Sequence, residues 1–357
     1  MDKYIGMDMD SKKIAVYVVD SKGQESHATL KPELGAVRCF IERQKSGGYR
    51  VGVTYEISGQ AGWWYDNLSD VADEIKVCNP TKMTWIYRTA KKNDQIDARK
   101  MAILYRIGEL PTVYMPDAQV RQWRQMIGHR RDLMSKQTAV KNQIRALIKS
   151  QGILHPLSSG SWWKLANRVW MGSLCAEVSS TSMILWRIEL AGLLDQLALL
   201  ENQIDRITKT LDTILATKPQ AELILSIPGI GPRTTEAILA YTDDIRRFDN
   251  GKQYSSYFGL TPKLDESGST RRVGHITKHG PSVVRWLLVE CSWMVVRKSP
   301  SMRAFCERVM GGQKERKKVA IIAVARKLTE IIRVMLLTHQ RFNDSLIGQA
   351  LKNEKAA

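Results

Sequence analysis

The stretch Tyr4-Ile5-Gly6-Met7-Asp8 is an apolar run that closes on a carboxylate, and it reads as a first β-strand. The same α/β rhythm continues beyond it. Lys13–Val19 and His27–Leu30 are strand-like, with a turn at Ser21-Lys22-Gly23 between them. Val51–Tyr55 and Glu74–Cys78 read as further strands, and helices are expected around Leu34–Gln44 and Gly62–Ala72. Asn79-Pro80 marks a break. Residues 1–80 are thus three strands in series, followed by helix and strand in alternation.

Four carboxylates stand out within and just beyond this region. Asp8 ends the first run, and Glu56 ends Val51-Gly52-Val53-Thr54-Tyr55-Glu56. Asp94 and Asp97 lie in Lys92-Asn93-Asp94-Gln95-Ile96-Asp97-Ala98-Arg99. If that segment is helical, their i,i+3 spacing puts both on one face. Acids at strand ends and on one helical turn can converge on a hard cation such as Mg²⁺, which takes oxygen ligands. Two such ions can flank a phosphate and stabilise its attacking and leaving oxygens. A single Asp at a strand end is more often a solvated turn residue; the company of the other three and their basic surroundings favour the metal reading.

The chain has 357 residues, 43% of them apolar, with 54 Lys and Arg against 36 Asp and Glu, a formal net charge of +18. Such a balance suits a polyanionic partner. The excess is segregated: residues 81–150 and 221–357 each carry +10, whereas residues 1–80 and 151–220 are close to neutral. Two nucleic-acid contact regions joined by a neutral spacer would explain this. Five scattered cysteines without a C-x-x-C pair give no zinc-ribbon signal and fit a reducing cytoplasm. No secretory leader or bilayer-length apolar run is visible.

Ala118–Ser150 is a long helical candidate whose basic residues, among them Arg121, Arg124, Arg130 and Arg131, have little acid between them, which favours nucleic-acid contact. Residues 151–180, with Pro156, Ser158-Ser159-Gly160 and Trp162-Trp163, read as an irregular connector. From Leu190 to Ile214, apolar residues recur in steps of three and four, a coiled-coil seam whose partner is either the 118–150 helix or another chain. Lys218-Pro219 closes that helix, and Pro228-Gly229-Ile230-Gly231-Pro232-Arg233 resembles a helix-hairpin-helix turn that brings backbone N–H groups to a phosphate. Asp265-Glu266-Ser267-Gly268-Ser269-Thr270-Arg271-Arg272 reads as an exposed loop, with Lys278 shortly after it. Spacing alone does not make Ser267 a nucleophile. From Pro281 onward the chain is expected to be helical, fraying over Leu351–Ala357.

The order of these motifs resembles, over almost the whole chain, that of the DEDD insertion-sequence transposases, relatives of the Piv/MooV DNA invertases; some members are guided by a bridge RNA. Tyr4–Asp8, Glu56-Ile57-Ser58-Gly59 and Lys92–Arg99 look like the family's acidic motifs. Ser226–Gly231, Gly259-Leu260-Thr261-Pro262 and Glu266-Ser267-Gly268 look like those of its second domain. Asn93 stands where Thr is usual, and Thr277 where Ser is common. Ser267 is chosen over Ser269 by motif alignment alone.

The resemblance implies an α/β plus α protein. Residues 1–117 would form a ribonuclease H-like (RuvC-like) catalytic domain, and 118–217 a helical, coiled-coil oligomerisation region. Residues 218–357 would form a mainly helical transposase domain carrying the serine and the helix-hairpin-helix-like element. Asp8, Glu56, Asp94 and Asp97 would hold Mg²⁺, and Ser267 would form a covalent phosphoserine link to DNA. Arg99, Arg121, Arg124, Arg130, Arg131, Arg233, Arg271, Arg272 and Lys278 would contact nucleic acid. Expected partners are donor and target double-stranded DNA, a bridge RNA and further copies of the chain, a dimer or, in synapsis, a tetramer. No membrane is expected, and the setting would be the bacterial cytoplasm, at the nucleoid. The competing reading is a junction-resolving, metal-dependent endonuclease that uses water in place of serine.

Overall fold

The computed structural model describes residues 2–79, 83, 93–155, 162–176, 185–267 and 270–349, without the side chains of 176, 264–267, 270, 271 and 273. Readings that fall on Pro80, Lys92, Pro156–Gly160, Ser269 and Leu351–Ala357 lie outside the described residues. The chain divides into two compact units, Met1–Arg121 and Gln122–Ala357.

The first unit is built on a six-stranded sheet in the order β3-β2-β1-β4-β5-β6. Its strands are β1 (Asp2–Met9), β2 (Ile14–Asp20), β3 (Glu25–Leu30), β4 (Arg50–Glu56), β5 (Glu74–Cys78) and β6 (Thr112–Val113). β1 to β3 form an antiparallel meander, β4 runs parallel to β1, and β5 runs parallel to β4. Strand alternation sorts the side chains onto two faces. Ile5, Met7, Val51, Val53 and Tyr55 form one core with Val37 and Ile41 of α1 (Leu34–Lys45) and Trp64 and Leu68 of α2 (Ala61–Leu68). Tyr17, Val19 and Cys78 face the other way, toward Ala98, Met101, Ala102 and Tyr105 of α3 (Asp94–Arg106). Helix, sheet and helix thus stack as three layers, consistent with the ribonuclease H-like expectation.

Two glycines set how closely α3 lies on the sheet. A Cβ on Gly6 of β1 would run into the Ala98 carbonyl and come within 2.8 Å of the Ala102 nitrogen. One on Gly52 of β4 would stand 2.6 Å from the Tyr105 hydroxyl. Bare backbone at both positions lets the helix rest directly on the two central strands.

The second unit is mostly helical. Its core joins Trp123 and Ile127 of α4 (Ala118–Ser150) to Leu211 of α6 (Leu185–Ala216) and to the helices that follow. Those are α7 (Gln220–Leu225), α8 (Pro232–Thr242), α9 (Gly251–Tyr257), α10 (Ser282–Lys298), α11 (Pro300–Met310) and α12 (Lys317–Thr338). The heptad seam is satisfied within the chain: Leu190, Leu197 and Leu200 share a buried cluster with Leu133, Val140, Ile144 and Ile148 of α4. The two helices run antiparallel, since Trp123 and Ile127 share a core with Leu211 while Gln137 donates to Glu201 at 3.3 Å.

Three local expectations change. The helix expected over Gly62–Ala72 stops at Leu68, where Ser69 closes it. Part of the expected connector is helical, α5 (Leu165–Ala176); Leu165 (79% exposed) and Val169 (65%) sit on its solvent side and blur the apolar period. The expected exposed loop at Asp265–Arg272 falls on an antiparallel hairpin of β7 (Pro262–Ser267) and β8 (Thr270–Ile276). Its polar run, Asp265-Glu266-Ser267 against Arg271-Arg272, carries no strand-like alternation of apolar residues.

Candidate active site

The four acids sit at one end of the first unit's sheet. Asp8 lies one step beyond the Met7–Tyr55 pair of the parallel β1–β4 ladder, and Glu56 ends β4 opposite Cys78. Alternation puts Asp8 on the face of Gly6 and Glu56 on the face of Gly52, the face covered by α3. Asp94 and Asp97 lie in the first turn of that helix, just ahead of the Ala98 backbone that rests on Gly6. Asn93 caps the helix, its side-chain oxygen accepting from the Gln95 N–H at 3.1 Å. Asn93 thereby satisfies one of the helix's free N-terminal donors.

Their environments differ. Asp97 is buried at 5% exposure, with the Lys100 ammonium 3.8 Å away, one turn on. Asp94 is half-exposed and paired at 3.0 Å with Lys13, the residue immediately before β2. The hydrogen bond to Asp94, joined by the charges of Asp94, Asp10 and Asp8, raises the Lys13 pKa. Beside Glu56, burial and the nearby carboxylate push the Cys78 thiol up to about 12, so it is inert as a nucleophile at neutral pH. Among the described residues, no three His, Cys, Asp or Glu side chains stand close enough together to hold a metal ion as placed. The set is gathered on one edge and one face, all with hard oxygen donors, but is not closed around a point. By donor type it suits Mg²⁺ or Mn²⁺ and not a soft metal.

In the second unit, Ser267 is the last residue of β7 and pairs with Thr270 at the hairpin tip. The base of the hairpin is held by two glycine turns locked together. Gly259 (φ +68°) would bring a Cβ within 2.7 Å of the His279 nitrogen, and one on Gly280 (φ +70°) would strike the Tyr257 carbonyl. Thr277 N–H donates to the Thr261 carbonyl at 2.9 Å. Arg285 Nη1 donates to the carbonyls of Phe258 (3.1 Å) and His279 (2.9 Å), fixing both turns to α10. Phe258-Gly259-Leu260-Thr261-Pro262 and Thr277-Lys278-His279-Gly280 thus form one foundation for the serine-bearing hairpin.

Several cations expected to meet nucleic acid are engaged inside the protein. Arg99 bridges Glu25 (2.9 Å) and the Tyr17 hydroxyl (3.0 Å), tying α3 to β2 and β3. Arg121 pairs with Asp66, and Arg124 donates to the Ala240 carbonyl at 2.8 Å. Arg130, 6% exposed, pairs with the fully buried Glu236, which also faces Arg233; Arg233 reaches Asp212 as well. Burial pushes the Glu236 carboxyl above its usual range despite these neighbours. Arg131 donates to Ser282 at 3.2 Å, while Arg272 and Lys278 are exposed. The Arg271 side chain is outside the described residues. Lys13 was not singled out by sequence reasoning; its only signal was its place after the Asp10-Ser11-Lys12 turn that leads out of the Asp8 strand.

Comparison with known proteins matches two separate stretches of the chain. A DEDD transposase family model, described as Transposase, matches residues 5–152, and the Transposase IS116/IS110/IS902 family model matches residues 221–307. The chain is 24% identical over 326 residues to a probable family 20 transposase of Pseudomonas aeruginosa, covering 90% of this chain and 92% of that one. It is 23% identical to the transposase for insertion sequence element IS1111A of Coxiella burnetii, covering 81% and 79%. Over 126 residues it is 30% identical to the pilin gene-inverting protein of Moraxella lacunata, covering 35% and 39%.

Proposed function

We propose, from the premise that the chain is an insertion-sequence DEDD transposase of the IS116/IS110/IS902 family, that it is a DNA recombinase with a metal- and serine-dependent centre. The observation that carries this reading is the gathering of Asp8, Glu56, Asp94 and Asp97 at one sheet edge, within residues 5–152 that the DEDD family model matches. These four side chains would hold Mg²⁺, which supplies charge neutralisation at the scissile phosphate and at the oxygens that attack and leave it.

Ser267 is the nucleophile in this reading. Its Oγ bonds to phosphorus, the bond from phosphorus to the leaving sugar oxygen breaks, and the seryl proton passes to that oxygen through an acid–base group or water. The phosphoserine link conserves the bond for a sugar hydroxyl of the exchanged strand, whose attack restores the serine. The interlocked turns at Gly259 and Gly280 support a nucleophile held on a firm base. Donor and target DNA are the substrates, a bridge RNA would choose the sequences by base pairing, and the units would meet in a homo-oligomeric synapse. The domain division at 117 and 217 and the helix-hairpin-helix role of Pro228–Pro232 belong to the same proposal.

The gathering of all four acids in the first unit alone also suits a second reading, hydrolysis of a DNA junction without serine. Incubation with a nicked insertion-end DNA and Mg²⁺ separates the two. A covalent protein–DNA adduct lost in Ser267→Ala supports the recombinase; hydrolysed ends without adduct support the nuclease.

A further inference from the structure

The carboxylate edge already contains a cation of its own. Lys13 immediately precedes β2, and continuing the strand's alternation back from 15, 17 and 19 puts it on the face that Ala98 and Ala102 of α3 cover. Its ammonium lies 3.0 Å from Asp94 Oδ2. Asp8 is paired in the β1–β2 ladder with Ala15, two residues along the same face, and its charge reaches Lys13 together with that of Asp10. One ammonium therefore stands between the strand that carries Asp8 and the helix turn that carries Asp94. The pair is open to solvent, with side-chain exposures of 56% and 45%, so a modest competing interaction can break it.

We propose that Lys13 is a positioning residue that acts as a built-in counter-cation: it holds Asp94 while the site is empty and must release it for a divalent ion to bind. This inference rests on the reading of Asp94 as a metal ligand. Its consequence is that the ion displaces the lysine, so the apparent metal affinity is set partly by Lys13. Loading would then be weak without DNA, because the lysine competes for the same oxygen. When a phosphate enters, the freed ammonium has a second anion to pair with. Metal binding and DNA binding would thus favour each other through one side chain.

The test is Mn²⁺ binding to the full-length protein without DNA, followed by electron paramagnetic resonance of the free ion, with no activity required. Lys13→Met should bind Mn²⁺ about three- to five-fold more tightly than the unsubstituted chain, the range expected for removing one exposed ion pair. Lys12→Met, which removes the same charge one residue away, should change affinity less than two-fold. In an Asp94→Asn background the Lys13→Met gain should vanish, because the two act on one oxygen. Equal affinities for Lys13→Met and the unsubstituted protein, or the same gain from Lys12→Met, would overturn the inference while leaving the metal site standing. Mn²⁺ binding unaffected by Asp94→Asn would remove the metal-ligand reading, and the inference with it.

Discussion

At the scale of single residues, the most exacting position is a glycine beside the acids. Gly6→Val would drive side-chain atoms into the Ala98–Ala102 backbone and lift α3 from β1. We expect it to destabilise the first unit by about 3 kcal/mol, the upper end for overpacking, measured by urea denaturation. The neighbouring Ile5→Val should cost only about 1 kcal/mol. Asp8 and Glu56 were legible in the sequence because each ends an apolar strand run. The demand on Gly6 was not, because it is made by a helix some 90 residues away in the chain. The arginines teach the same lesson. Arg130 reads as a nucleic-acid contact on a basic helix face, yet its partner Glu236 lies 106 positions on and is fully buried. Removing one member of a buried pair strands the other, so Glu236→Ala should destabilise the second unit by about 3–5 kcal/mol in the same assay.

At the scale of elements, the α4–α6 pair was legible as a seam but not in its partner; the heptads alone allowed another chain. The shared apolar cluster of α4 and α6 shows the pairing, and a polar clasp ties α5 to it. Glu201 of α6 accepts from both guanidinium nitrogens of Arg168 on α5 at 2.6 Å and lies 3.9 Å from Lys141 on α4. The hydrogen bonds from Arg168 hold its carboxyl below the usual 4.5. A folded-state pKa below the unfolded one means that the unfolded chain binds more protons between the two values. The stabilisation is complete above about pH 4.5 and is lost as pH falls through the depressed folded value. Glu201→Gln should lower stability at pH 7 by about 1–2 kcal/mol and flatten this acid limb, read by thermal melts across pH. The β7–β8 hairpin escaped sequence reading because its strands lack an apolar alternation, although the glycine turns beneath it were visible as motifs. Gly280→Ala forces a side chain into positive φ against the Tyr257 backbone. It should cost more than about 1 kcal/mol and reduce adduct formation more than DNA binding, measured by gel shift and adduct yield on one substrate.

At the scale of the whole molecule, the order of motifs identified the family, and the charge pattern anticipated a polyanionic substrate. The formal charge of +18 overstates the cations free to meet it, since Arg99, Arg121, Arg124, Arg130 and Arg233 serve internal bonds. No helix among the described residues is long and apolar enough to cross a membrane. Neutralising the exposed Lys278 or Arg272 should each reduce the salt slope of DNA affinity by about one, whereas Arg130→Met should leave the slope unchanged and lower stability. The most direct measurement is mass spectrometry of the protein trapped on a nicked insertion-end DNA in Mg²⁺. The account predicts a nucleotide remnant on Ser267, absent when Asp8 is replaced by Asn or when Ser267 is replaced by Ala. An adduct that persists in Ser267→Ala, or DNA ends released by hydrolysis with no adduct at all, would contradict it.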